Sequence, residues 1–140
     1  MMDFIKPSSG YIEIPHTADR ALLVWGKDAE ILFINAAKGM YSLLLIHDFE
    51  DEMIERVINI REFDQESLLV SFLSLLLLEL EEKKLFYDQI SIQIKGKNLK
   101  GQLIGKKVKN VDREIKAITY NNLKIQNTKN GNEVEIVFDV

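Results

Sequence analysis

Residues 68–78 read Leu-Leu-Val-Ser-Phe-Leu-Ser-Leu-Leu-Leu-Leu, and this apolar run decides the fold. Asp64 precedes it and is a good helix N-cap, so we expect a helix over about residues 65–84. A helix that is apolar nearly all round is buried on most sides, so this one should form the spine of the core. The run is shorter than the roughly 18 residues that a membrane-spanning helix needs.

A second helix is predicted after Asp28, another residue suited to an N-cap. Apolar residues follow at positions 29, 32, 33, 36, 37, 40, 41 and 44, which is the stripe of an amphipathic helix. Residues 10–14 and 21–25, on its N-terminal side, are typical of two short strands.

The C-terminal half of the chain has the alternation of β-strands. Apolar and polar residues alternate over 90–95 and over 133–138, and Asn130-Gly131 is a tight-turn signal before the second of these. Further strands are predicted at 114–120, at 123–126 and, after an acidic linker over 48–55, at 56–60, and residues 99–104 are a weaker candidate. This order predicts the α+β class: a single domain over 1–140, with two helices packed on a mostly antiparallel or mixed β-sheet.

Composition narrows the class of protein. The chain has 140 residues, a formal net charge of −4 and no cysteine. The lack of cysteine excludes disulfides and thiolate metal sites and favours a reducing compartment. Since the N-terminus has no apolar signal segment, we expect a cytoplasmic protein without a membrane anchor. The net acidity argues against strong direct nucleic-acid binding.

The charge is uneven, because residues 95–116 carry eight basic side chains against two acidic ones. Such a segment is a candidate docking face for an acidic partner or for RNA. The plainer interpretation is a solvated, lysine-rich loop, since charged side chains usually face water.

The tetrapeptide His16-Thr17-Ala18-Asp19 connects the first two predicted strands. Polar residues in such connections often carry function because a rigid base positions them. An ordinary turn is the other interpretation, since Asp commonly bonds nearby backbone in turns.

The end of the chain brings two carboxylates together. Alternation places Asp139 on the face opposite Phe138, and the α-carboxylate of Val140 lies close to Asp139. Neighbouring negative groups repel one another unless a positive charge is present. A hard divalent cation would satisfy them, as would a lysine, while hydration at a frayed end is the third alternative. Lys116 lies on a predicted strand, where it either extends to water or serves as a fixed cation beside such a site.

Five motifs occur together and in the same order as in the archease family, which the chain resembles from about Ile14 to Val140. They are His16-Thr17-Ala18-Asp19, Asn35-Ala36-Ala37, Gly39, Lys116-Ala117-Ile118-Thr119-Tyr120 and Phe138-Asp139-Val140.

The resemblance implies an α+β fold and a role as an activator of the RtcB-type RNA ligase, without enzymatic activity of its own. That ligase uses GTP and manganese to join RNA ends in tRNA splicing and repair. Archeases help the ligase become guanylylated and turn over repeatedly, so contact with tRNA would be indirect. The resemblance also implies a divalent metal, usually assigned as Ca²⁺, with Asp19, Asp139 and the Val140 carboxylate as ligands. It further implies a functional lysine at Lys116, and His16 is a candidate neighbour of the ligands.

The chain departs from the family pattern at four places. Arg20 follows the first motif where small residues are usual, and Ser74-Leu75 stands where Asn-Glu is common. Family members often carry Gly-Glu and later an Asp and a His before the lysine motif, whereas the short stretch over 105–113 begins Gly105-Lys106 and has no histidine, and Asn121 replaces a histidine. The predicted metal ligands are all retained.

Two other functions are open to this sequence. A small metal-dependent hydrolase would need a base near the metal, and His16 has a suitable reference pKa. A chaperone-like or RNA-binding module would use the basic segment 95–116. Aromatic residues for base stacking are nearly absent there, which does not favour base recognition.

Overall fold

Two helices pack against two antiparallel β-sheets in the computed structural model, which describes residues 8–129 and 131–140. The helices and antiparallel strands confirm the predicted α+β class. Within the described residues, no helix is both long and apolar enough to cross a membrane. In chain order the elements are β1 (Tyr11–Ile14), β2 (Arg20–Gly26), α1 (Ala29–Ser42), β3 (Ile46–Arg61), α2 (Gln65–Lys83), β4 (Leu85–Lys95), β5 (Asn98–Val111), β6 (Ala117–Thr119), β7 (Gln126–Thr128) and β8 (Gly131–Asp139).

The strands divide into two sheets, a division that alternation alone did not predict. The first has the order β1-β2-β8-β6, with β7 also paired to β8, and the second has the order β3-β5-β4. Both helices contact strands of both sheets, so the core lies where helices and sheets meet.

Local capping explains the positions of the helices. Asp28 accepts a hydrogen bond from the Ile31 amide at 2.9 Å, and Asp64 accepts one from the Ser67 amide at 2.7 Å. Both predicted N-caps are therefore confirmed. The buried residues of α2 form the centre of the core, as predicted, and include Leu68, Leu69, Phe72, Leu73 and Leu76.

The second sheet corrects the predictions for two segments. The acidic residues 48–55 form part of the 16-residue strand β3 and are not a linker. Strand β5 continues to Val111, so most of the lysine-rich segment lies on a strand and not in a loop. These segments form strands despite their polar composition, because the hydrogen bonds between β3 and β5 join backbone groups and need no apolar side chain. Gly105 suits the close approach of β4, since a Cβ there would overlap the Phe86 carbonyl oxygen.

The remaining boundaries differ in smaller ways. Strand β6 covers only the centre of predicted strand 114–120, and β7 begins at the last residue of predicted strand 123–126. Asn130, the first residue of the predicted turn, lies outside the described residues.

A buried ionic network joins α2 to the second sheet. Glu79 is buried and pairs with Arg56 of β3, while the Tyr87 hydroxyl donates to it at 2.5 Å and Lys83 lies 3.2 Å away. Burial alone raises the pKa of Glu79, but the hydrogen bonds from Arg56, Tyr87 and Lys83 outweigh it and hold the pKa below its ordinary value.

Because α2 forms the centre of the core, truncating a buried leucine of this helix should destabilise the protein more than truncating an exposed one. Leu76 is fully buried, whereas Leu78 is 51% exposed. We expect Leu76→Ala to lower the free energy of unfolding by about 2–5 kcal/mol, because it leaves a cavity. Leu78→Ala is the matched control and should cost less than about 1 kcal/mol. Urea denaturation followed by circular dichroism measures both, and equal costs would contradict this account of the core.

The Glu79 network predicts a dependence of stability on pH. Because the folded-state pKa is depressed, the stabilisation is present above the ordinary value of 4.5 and is lost as pH falls through the folded-state pKa. We therefore expect Glu79→Gln to be less stable than wild type at pH 7, and this difference to shrink in the acid range. Glu82→Gln, an exposed charge change on the same helix, should show neither effect in urea titrations at several pH values.

Candidate functional site

The pairing of β2 with β8 brings Asp19 and Asp139 to the same end of the first sheet. The ladder closes with Arg20 opposite Phe138. Asp19 immediately precedes Arg20, and Asp139 immediately follows Phe138. Because the strands are antiparallel, the two acids face each other just beyond the end of the ladder. The two motifs are far apart in the chain, and this register makes them neighbours.

Lys116 joins the same end through β6. Asp139 pairs with Ala117 on its other side, and the Lys116 amide N–H donates to the Asp139 carbonyl oxygen at 2.8 Å. The side chains of Lys116 and Asp139 are both exposed, whereas Phe138 is fully buried. Asp139 therefore lies on the solvent side of the sheet, as the alternation predicted.

A depression of about 330 Å³ opens on this solvent side. Glu135 contributes a carboxylate to it, and we did not predict this residue as part of the site. Glu135 lies four positions before Asp139 on the same strand, so the alternation places both side chains on one face and could have identified it. The lining residues are His16, Asp19, Thr119, Asn121, Asn122, Leu123, Glu135 and Val137.

His16 lies beside Asp19 but is too far away for a hydrogen bond. Its Nδ1 is 4.0 Å from Asp19 Oδ2, which is the outer limit of an ion pair. Ala18, between them, has a φ of 67°, in the left-handed region that non-glycine residues rarely adopt. This strained residue lies two positions before β2 begins at Arg20.

Arg20, the first departure from the family pattern, has a structural role. Its guanidinium donates to both carboxylate oxygens of Glu13 at 2.8 and 2.9 Å, and its Nη1 donates to the Leu43 carbonyl oxygen at 2.8 Å. The hydrogen bonds from Arg20 lower the pKa of the Glu13 carboxyl. One side chain thus ties β1 and the end of α1 to the residue after Asp19.

The other departures lie in different surroundings. Ser74 is exposed on α2 and Leu75 is partly buried against the core. Residues 105–111 belong to β5, and Asn121 lines the depression.

The donors at this end of the sheet fit a hard cation in type. Across residues 8–129 and 131–140, no three His, Cys, Asp or Glu side chains form a group that could hold a metal ion. The set implied by the resemblance contains only two such side chains, Asp19 and Asp139, and takes its third carboxylate from the main chain at Val140. Every donor is an oxygen, which is the ligand type that calcium and magnesium prefer.

Known proteins match this chain over almost its full length. Residues 11–140 match the Archease protein family. A protein archease from Methanosarcina mazei is 32% identical over 145 residues, which cover 96% of this chain and 99% of that relative. The chain belongs to the archease family.

Further archease relatives agree with this assignment. An archease-like protein of Dictyostelium discoideum is 26% identical over 137 residues, covering 91% of each chain. A crystal structure from Thermotoga maritima, of an archease named as a possible chaperone, matches with a TM-score of 0.70 and 26% identity over the full length of both chains. The resemblance drawn from the motifs is thus confirmed, while the roles of individual site residues stay predictions.

The contacts of Arg20 predict that lysine cannot replace it without a loss of stability. Arg20→Lys keeps the charge but loses the two-pronged bond to Glu13, so we expect the free energy of unfolding to fall by about 1 kcal/mol. Arg61→Lys, at an exposed position of β3, is the control and should change it by less than about 0.5 kcal/mol. Thermal or urea unfolding tests this, and a silent Arg20→Lys would contradict the proposed tie.

Proposed function

We propose that the chain activates an RtcB-type RNA ligase by promoting its GTP-dependent guanylylation and its multiple turnover. It would catalyse no reaction itself, would reach tRNA only through the ligase, and would act in the cytoplasm. Membership of the archease family supports this proposal. The observation that supports it is the pairing of β8 with β2 and with β6, which brings Asp19, Asp139 and Lys116 to one end of the first sheet.

In this proposal Asp19, Asp139 and the Val140 carboxylate hold a divalent cation, for which Ca²⁺ is the first candidate. When bound, the cation would neutralise carboxylates that otherwise repel one another. Lys116 is beside Asp139 through a main-chain hydrogen bond and would present its ammonium group to the ligase. His16 and Glu135 border the depression that Asp19 lines, and they would influence the charge around that ligand; Asp139 and Val140 do not line it.

The proposed cation site predicts that loss of a ligand reduces both Ca²⁺ binding and activation of the ligase. Asp19→Asn and Asp139→Asn preserve side-chain shape but remove a charged ligand. We expect each to weaken Ca²⁺ binding by at least about tenfold, equivalent to about 1.4 kcal/mol, in calorimetric titrations. Each should also lower the transfer of labelled GMP from GTP to the ligase of the same organism. Glu114→Gln removes an exposed acid near Lys116 that is outside the ligand set, and it should leave both readouts unchanged.

Two further variants distinguish the role of the Val140 carboxylate from that of Lys116. Two glycines added after Val140 would move the terminal carboxylate and should reduce Ca²⁺ binding, although both aspartates remain. Lys116→Met should reduce ligase activation without weakening Ca²⁺ binding. Full activation by both aspartate variants would contradict the metal-dependent proposal.

A further inference from the structure

A second and larger cavity, of about 790 Å³, lies beside the C-terminal half of α1. It is bounded by α1, by the first residues of β3, and by the bulged start of β4. Its size falls in the range of ordinary ligand and peptide sites. We call it the arm groove, and its main apolar lining is Ile34, Tyr41, Leu45, Phe49, Phe86 and Ile104.

The arm groove exposes large apolar side chains in an ordered arrangement. Leu45 is 46% exposed and Phe49 is 45% exposed. Phe86 contacts Tyr41 edge-on, with ring centroids 4.6 Å apart, and contacts Phe49 at 5.5 Å. An exposed, pre-arranged aromatic wall of this kind is typical of an interaction site.

Three carboxylates lie next to this wall. Glu50, Asp51 and Glu52 are exposed at the point where the register between β3 and β5 shifts, immediately after Phe49. None of the three forms an ion pair within the described part of the chain, and the facing strand β5 sets one lysine, Lys107, against the three acids. Consecutive like charges repel one another, so a cationic partner would be stabilised here.

We infer that the arm groove docks an apolar segment of the ligase whose flanking lysine or arginine side chains meet Glu50, Asp51 and Glu52. This inference rests on the proposed function, because it names the ligase as the occupant. Charge complementarity to Glu50, Asp51 and Glu52 favours an occupant of this kind.

The groove is connected to the candidate functional site by short contacts. Arg20, next to Asp19, bonds the Leu43 carbonyl oxygen, and Leu45, two residues on, lines the groove. Leu45 has a φ of 50°, and its carbonyl oxygen accepts from the Asp112 amide at 3.2 Å. Arg20 therefore links the residue after Asp19 to the segment that leads into the groove.

The test measures binding and activation separately, with the purified ligase of the same organism as the probe. Phe49→Ser removes the exposed aromatic, and the triple change Glu50→Lys, Asp51→Lys and Glu52→Lys reverses the charge. The controls are Val57→Ser, at an 80% exposed valine farther along β3, and Glu81→Lys with Glu82→Lys on α2. Circular dichroism and urea denaturation check that every variant is folded.

We expect both groove variants to raise the Kd for the ligase by about tenfold or more, and both controls to leave it within about twofold. Activation by the groove variants should recover at saturating concentration, since Asp19, Lys116 and Asp139 are unchanged. The Asp139→Asn variant should show the reverse pattern, with wild-type affinity and reduced maximal activation.

Three results would overturn the inference, and they are distinguishable. If wild type activates the ligase and the groove variants bind it normally, the groove assignment is wrong and the proposed function stands. If wild type neither binds nor activates the ligase, the proposed function fails and the groove assignment fails with it. If sedimentation shows a wild-type dimer that Phe49→Ser dissociates without changing ligase binding, the groove belongs to a second copy of the chain.

Discussion

The antiparallel register of β2 and β8 is the constraint on which both the core and the candidate site depend. It places Leu22 opposite Ile136 on the buried face and ends with Arg20 opposite Phe138. A slip of one residue would turn each buried side chain of β8 to solvent, so the apolar pattern fixes the register strongly. The same register leaves Asp19 and Asp139 as the next positions on the two strands. The site is therefore a consequence of how the core packs.

Local signals in the sequence were enough for the helices and for β8. Asp28 and Asp64 cap their helices through contacts with residues only three positions away, and alternation alone gives the faces of β8. Strand β3 was predicted only in part, because its acidic half is held by pairing with β5, a partner distant in sequence. The arm groove was missed for the same reason, since it arises from elements that meet only in the folded chain, whereas Glu135 lies on the same face of β8 as Asp139 and could have been found from the alternation.

The end of α1 unites the two functional regions. Arg20 bonds the last turn of α1 at Leu43, and the chain then passes through a left-handed residue at Leu45 to form a wall of the arm groove. Ala18 holds a left-handed conformation on the other side of Arg20. Such strain costs of order 1 kcal/mol at each residue and persists where surrounding contacts impose it. The Arg20 side chain fixes Leu43, two residues before Leu45, and Glu13 of the neighbouring strand β1.

In the proposed site, Asp19 and Asp139 share one cation. A crystal structure of the calcium-loaded protein, with the ion located by its anomalous scattering, would test this. We expect one ion with carboxylate oxygens of both aspartates and of Val140 at about 2.4 Å. An ion bound elsewhere, or two carboxylates too far apart to reach a common ion, would contradict it.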